Sequence, residues 1–378
     1  MIARVLDRMK ALIVGGLIVA QHLGAQPATP RIQLVRERVI DGEREDFPVV
    51  NGGHANSRAD IALTMRQDFQ VRVYDVNGKR LATVGRRGQA PGEFMAPQVQ
   101  GWFSDTVWVY DPSLRRSSFF LRDGRLVRTA ALETSSHDVR VLHDSTNARL
   151  IDFFPRARRD DGTLVGSATI VRSGTRPPSS KEKVLVGYSS DGTVIKLANI
   201  EQDSRWEAEL ALTVASAVSP NGRDIVVASV SDLTLSGSDI ILSRFDERGV
   251  RRGTTRVGYS GILYPADVRQ AVLKRGIGPD RGQEVIASRV PKVLPPLYNI
   301  LLRDDGVVLL TIRKTDSAQF ALLVDASGMT RGDFGLAPKA EVIATLGPFV
   351  WMKERNSDDI YSVVRYRMMC GARPCAFQ

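Results

Sequence analysis

Apolar and polar positions alternate in short runs along most of the chain, and turn-forming clusters separate the runs. The pattern is clearest over residues 71–128, which read as strand, tight turn, strand, a Gly/Pro-rich crossing, and then three more strands joined by turns. Weaker echoes recur downstream. Five share one plan, a strand, a turn finishing in Gly, and a second strand: VYDVNGKRLATV (73–84), FFLRDGRLVRTA (119–130), GYSSDGTVIKLA (187–198), RFDERGVRRGTT (244–255) and LVDASGMTRGDF (323–334). Gly accepts the positive φ that such a reversal needs, and an Asp or Asn before it can bond its own downstream backbone. Gly78, Gly124, Gly192, Gly249 and Gly328 are therefore expected to be hairpin residues. The same Asp-x-x-Gly spacing occurs in calcium loops, but the dense ladder of oxygen ligands is missing.

Further strands are expected upstream of each turn, at 59–65, 105–111, 138–154, 222–230 and 305–313, and a last pair at 348–354 and 359–369 lacks the Gly turn. That makes six units of uneven length, which suits sheet blades carrying loop insertions better than a solenoid of fixed period. The segment 31–40, RIQLVRERVI, alternates like a strand but has no hairpin partner beside it. Such an orphan is expected to complete the last unit and close a ring, which removes free sheet edges. Two insertions stand out. Residues 257–298 carry a short helical pattern around 264–278, and residues 172–183 are polar, basic and Pro/Ser-rich; either could present a recognition surface.

Composition narrows the class without naming a ligand. With 43% hydrophobic and 25% charged residues the chain can bury a large core. Residues 1–26 run from basic Arg4, Arg8 and Lys10 through an apolar stretch to small Gly24 and Ala25, the order of a secretory signal peptide. The apolar stretch is shorter than the roughly 20 residues a spanning helix needs. The expected product is periplasmic or secreted and not membrane-spanning after cleavage; an uncleaved segment would act as an N-terminal anchor. Cleavage removes three basic residues and one acidic one, taking the formal charge from +10 to +8. Arg and Lys are scattered, with Arg86-Arg87, Arg115-Arg116, Arg158-Arg159 and Arg251-Arg252 reading as solvated turn residues, so nucleic acid is not the expected partner. Cys370 and Cys375 are the only cysteines, and in an exported protein they are expected to form a disulfide that pins the tail.

The stretch GRRGQAPGEFMAPQV (85–99), followed by DTVWVYDPSLRRSSFFLRDGRLVRT, resembles the bacterial six-bladed β-propeller proteins related to NHL repeats. The match is specific over residues 68–130. The resemblance implies an all-β fold, a six-bladed β-propeller of four-stranded antiparallel blades with the N-terminal strand closing the last blade. The expected division is a signal peptide at 1–26, the propeller at 27–369 and a C-terminal tail at 370–378. Residues 85–97 would then cross from one blade to the next, with Phe94 as an apolar plug and Glu93 either a rim ligand residue or a backbone-bonding joint.

Relatives of this fold include lactone hydrolases and lyases, so chemistry has to be found in residues. Beyond the signal segment the histidines are His54, His137 and His143, and they do not repeat at one blade position. His137 and His143 flank a strand-like DVRVL and are, with Glu93, the ligand-binding candidates. No Gly-x-Ser-x-Gly or phosphate-binding Gly loop occurs, and the pairs Asp160-Asp161, Asp304-Asp305 and Asp358-Asp359 fall in expected turns. No catalytic residue, metal or cofactor is expected. The reading is a monomeric exported binding or scaffold protein for an unidentified protein, small molecule or glycan; a propeller-type hydrolase or lyase with a polar channel site is the alternative.

Overall fold

The Gly-terminated turns fold as hairpins whose geometry explains their residues. Gly78, Gly124, Gly192, Gly249 and Gly328 have φ between 78° and 90°, where a Cβ is costly. The leading aspartates bond forward as their side chains permit. Asp75 Oδ1 accepts the Asn77 and Lys79 backbone N–H groups, Asp246 Oδ1 those of Arg248 and Val250, and Asp325 Oδ1 that of Met329. At each hairpin the register slips by one residue, for instance between Val73 and Tyr74 and between Arg244 and Phe245. The extra residue of each slip lies on the second strand, three to five positions beyond the glycine that closes the turn, and such a bulge sharpens the local twist.

The computed structural model describes residues 30–132, 138–139, 141–142, 148–172, 181–200, 214–230, 237–263, 296–313 and 318–376, and positions 234, 266 and 293. Its strands form six sheets, the blades of a β-propeller. After β1 (Gln33–Ile40), blade 1 is β2 (Gly52–Ala55), β3 (Ile61–Met65), β4 (Gln70–Tyr74) and β5 (Arg80–Val84). Blade 2 is β6 (Gln98–Phe103), β7 (Thr106–Asp111), β8 (Arg116–Leu121) and β9 (Leu126–Ala131). Two stubs, β10 (Asp138–Val139) and β11 (Val141–Leu142), join the edges of blade 3, which is β12 (Ala148–Arg158), β13 (Leu164–Arg172), β14 (Lys181–Tyr188) and β15 (Val194–Asn199). Blade 4 is β16 (Val214–Val218), β17 (Ile225–Val230), β18 (Ser238–Phe245) and β19 (Arg251–Tyr259). Blade 5 is β20 (Leu297–Leu302), β21 (Val308–Arg313), β22 (Gln319–Val324) and β23 (Thr330–Gly335). Blade 6 takes β24 (Glu341–Leu346), β25 (Phe349–Arg355) and β26 (Tyr361–Cys370) from the C-terminal part and β1 as its outer strand.

That closure explains the missing sixth Gly turn, since the outer strand of blade 6 arrives from the other end of the chain. Val39 faces Val364 and Ile40 faces Val363, and Glu37 on β1 pairs with both Arg365 and Arg367 on β26. The tail then folds back as β27 (Arg373–Pro374), with Cys370 and Cys375 joined by a disulfide and Cys375 buried between blades 5 and 6.

The core is a set of seams between blades. Because successive side chains on a strand point to opposite faces, one strand feeds two seams. On β21, Val308 and Leu310 pack against blade 4 while Leu309 packs against blade 6. On β3, Ile61, Leu63 and Met65 face blade 6 while Ala62 faces blade 2. The fully buried runs on both strands follow from this double duty.

Buried arginines tie the seams at their turns. Arg159 donates from Nε to the Gly222 carbonyl (2.9 Å) and from Nη2 to that of Glu247 (2.8 Å), both in blade 4. Arg244 of blade 4 reaches the carbonyls of Gly306 and Asp325 in blade 5, Arg303 of blade 5 reaches Gly347 (2.8 Å) in blade 6, and Arg365 of blade 6 reaches Val76 (2.9 Å) in blade 1. Between blades 1 and 2 the tie is an ion pair, Arg122 to both oxygens of the buried Asp60.

The seam between blades 2 and 3 is built differently. Among the described residues, the apolar cluster of blade 3 receives only the half-buried Leu132 from blade 2. Rings and guanidinium groups fill the rest: Tyr110 meets Phe154 edge to face at 5.5 Å, and Arg158 lies over Phe103 (5.3 Å) and Phe119 (6.0 Å). At the other outer turns the glycine abuts the preceding blade, but among the described residues an atom built on Gly192 would meet nothing within 4 Å.

Three expectations change. The Arg158-Arg159 pair is not a solvated turn, because Arg159 is 8% exposed and Arg158 is stacked on two rings. Segment 138–154 does not form the inner pair of blade 3; that pair is β12 and β13, which turn at Gly162 (φ 89°). The strands expected upstream of the Gly turns are in most blades second strands, and the innermost strands β2, β6, β16, β20 and β24 precede them in the chain. Residues 1–26, the helical pattern near 264–278 and most of 172–183 lie outside the described residues.

Two stability tests follow from this architecture. Gly192→Ala is expected to cost only the left-handed backbone penalty, about 1–2 kcal/mol. Gly328→Ala should cost clearly more in the same urea titration, because its Cβ would come within 2.1 Å of Thr255 Oγ1 in blade 4. Deleting residues 30–40 exposes the β26 edge and should lower the melting temperature sharply and promote self-association; an unchanged monomeric melt would contradict closure by β1.

Candidate functional site

The crossing from β5 to β6 is held by side chains that bind its own backbone. Phe94 is fully buried between blades 1 and 2, at 5.9 Å from the Phe120 ring. Glu93 accepts the Ala90 backbone N–H at 2.9 Å and Arg86 Nε at 2.8 Å, contacts that hold its carboxyl below the usual carboxylate range. Arg116 donates to the carbonyls of Gln89, Ala90 and Glu93, and buried Asp111 accepts the backbone N–H groups of Met95 (2.6 Å) and Ala96 (3.0 Å). Glu93 is thus placed as part of a joint and lies away from the cavity described below. His137 and His143 lie outside the described residues.

His54 sits on β2, the innermost strand of blade 1, and its carbonyl accepts Trp102 Nε1–H of blade 2 at 2.7 Å. Burial pushes its imidazole down to about 4, so it is neutral at physiological pH. Among the described residues no three His, Cys, Asp or Glu side chains cluster in the way a metal site requires.

A cavity of about 800 Å³ opens where the innermost strands of blades 3, 4 and 5 approach the β7–β8 turn of blade 2. Blade 3 builds most of its wall because its strands are long: β12 runs for 11 residues and β13 for 9. The register of β12 slips between Leu150 and Asp152 and again between Pro155 and Ala157, and such bulges re-aim the side chains between them. Pro155 is tolerated because β12 lies at the inner edge of its blade. Asp152, Phe154 and Arg156 line the cavity together with Arg115, Lys183 and Tyr298. Arg115 ends the β7–β8 turn at φ 47°, a left-handed conformation uncommon for a side chain of its size.

The polar groups differ in how far they are engaged. Asp152 Oδ1 accepts the Thr169 backbone N–H at 2.8 Å. Asn299 spends its amide on the Val342 carbonyl (3.0 Å) and its oxygen on the Ile300 N–H (2.8 Å). Arg156 uses Nη1 for both the carbonyl (2.8 Å) and the hydroxyl (3.1 Å) of Ser216, and burial lowers its pKa. Apolar surface is also presented here, with Ile151 46% and Tyr298 36% exposed. Sequence reasoning missed every one of these residues, since they come from four blades and share no spacing.

No family model matches the chain, and no curated protein matches it in sequence. Several solved structures align over most of the chain. A member of the DUF4221 family from Bacteroides vulgatus aligns over 90% of this chain and 99% of its own, at 10% identity and a TM-score of 0.47. A gluconolactonase from Xanthomonas campestris aligns over 90% and 95% (10% identity, TM-score 0.43), and virginiamycin B lyase from Staphylococcus aureus over 90% and 99% (8% identity, TM-score 0.36). At these identities and TM-scores the alignments transfer neither residues nor activity.

The depressed His54 pKa sets a pH dependence. Between about 6.5 and 4 the unfolded chain takes up a proton that the folded one refuses, so stability is full above that window and falls as the pH drops through it. The loss should reach up to about 3 kcal/mol. Urea unfolding at pH 7 and pH 4.5 should show this slope in the natural protein and a shallower one in His54→Gln.

Proposed function

We propose that this chain is an exported binding protein whose propeller presents the cavity over blades 3–5 to a small molecule or to a protruding group of a larger partner. The carrying observation is the cavity itself, about 800 Å³ and walled by side chains from four blades around the inner strands. Its size falls in the range of ordinary ligand sites. Its lining mixes exposed apolar side chains with polar groups of which only some are engaged by the protein, the composition of a recognition surface.

Capture is favoured over turnover by what surrounds the hydroxyls. Ser167, Thr169 and Ser216 line the cavity, with Ser216 engaged by Arg156 and the Asp152 carboxylate turned to the Thr169 backbone N–H. Export is supported by the order of basic, apolar and small residues at the N-terminus. Among the described residues no helix is long and apolar enough to cross a membrane. The remaining basicity is in part structural, since buried arginines serve the blade seams, and this supports a discrete ligand over a polyanion.

A thermal-shift screen of metals, sugars, organic acids and short peptides tests the reading, with Ile151→Trp as a cavity-filling control. A ligand at 100 times its Kd stabilises the folded state by about 2.7 kcal/mol. The expected result is a class of compound that raises the melting temperature of the natural protein and not of Ile151→Trp. Equal shifts in both proteins would place binding elsewhere and refute the cavity as the site.

A further inference from the structure

We propose that the ligand of this cavity carries an anionic group, a carboxylate or phosphate, on an apolar body, with the free edge of the Arg156 guanidinium as the anion's main partner. This rests on the binding role given above to the same cavity and specifies its chemistry.

Arg156 is best understood beside the other partly or fully buried arginines. Arg159 and Arg244 each divide their donors between carbonyls in two separate turns of the next blade, and Arg303 pairs with Asp305 as well as with the Gly347 carbonyl. Each of those arginines commits two nitrogens to the scaffold. Arg156 gives one nitrogen, Nη1, to Ser216, while Nε and Nη2 donate to no described protein atom, and no described carboxylate pairs with it. A half-buried guanidinium without a counter-charge is costly, and a bidentate oxyanion is its natural complement.

The rest of the lining has the same sign. Arg115 and Lys183 are exposed at the cavity and neither forms an ion pair among the described residues. The one carboxylate, Asp152, is turned to the Thr169 N–H. Three cations against one carboxylate give a local field that attracts anions. The apolar requirement comes from Ile151 and Tyr298, large side chains left exposed at the same opening, with Phe154 beside them. An inorganic anion would leave that surface wet, and a neutral apolar molecule would leave Arg156 unpaired.

Isothermal titration with phenyl phosphate, phenylacetate, benzyl alcohol and inorganic phosphate tests this, the first two distinguishing phosphate from carboxylate. At least one of the aromatic anions should bind tenfold or more tightly than benzyl alcohol and than inorganic phosphate, with affinity falling as salt is raised. Arg156→Gln should lose at least tenfold, and Arg156→Lys should recover only part because the planar fork is gone. Because Arg156 also touches blade 4, the exposed pair Arg115→Ala with Lys183→Ala provides a second reading in a protein whose fold should be undisturbed, with an expected loss of several-fold and a weaker salt dependence. Anion affinity unchanged in both sets of variants would overturn the proposal. So would benzyl alcohol binding as tightly as the anions; if Ile151→Trp then abolished that binding, the cavity would remain a binding site and only its anionic preference would fall.

Discussion

A guanidinium reaching from one blade to the carbonyls of the next blade's turns is the contact on which the ring most depends. A propeller has no central core, and each blade touches its neighbours only through the seams between them. Turn carbonyls are fixed acceptors, and a planar five-donor group can satisfy two of them while bracing the turns that carry them. Arg159 and Arg244 each hold two such carbonyls and Arg303 and Arg365 one each, in succession from blade 3 to blade 1. Burial lowers the pKa of all four, so their charge is kept at an energetic cost that the acceptors offset. The high basic content of the chain is to this extent a structural property.

The same constraint gives the cavity its character. Where Arg159, Arg244 and Arg303 staple a seam, each commits two nitrogens to the scaffold. At blade 3 the long β12 carries a second cation past the staple, with Arg159 bound to blade 4 and Arg156 three positions earlier only partly engaged. A scaffold device that overshoots its own seam leaves a charge for a ligand.

How much of this could be read in the sequence depended on how local the signal was. The outer hairpins were legible because a left-handed glycine and its Asx partner lie within five residues, and the orphan segment 31–40 was legible because a strand without a partner implies one elsewhere. The crossing at 85–97 was recognisable because Phe94, Glu93 and Asp111 all act within that unit. The inner strand GGHA of blade 1 was not, since four residues facing a channel need no apolar alternation. The staples were illegible one by one, although Arg-Asp-Asp-Gly occurs twice, at 159–162 and 303–306, and marks the same inner turn in blades 3 and 5. The cavity could not be found at all by spacing, because Arg115, Arg156 and Tyr298 are neighbours only after the ring has closed.

The seam between blades 2 and 3 has a consequence for that cavity. Interdigitated apolar side chains resist relative movement, whereas a flat guanidinium over a flat ring can glide without losing contact. Arg158 over Phe103 and Phe119 is such a bearing, and the unopposed Gly192 leaves clearance on its outer side. Tyr110, Pro112 and Arg115 belong to blade 2, while the rest of the cavity wall belongs to blades 3, 4 and 5. The aperture is therefore bounded on one side by a seam of rings and guanidinium groups and on the others by the apolar seams between blades 3, 4 and 5.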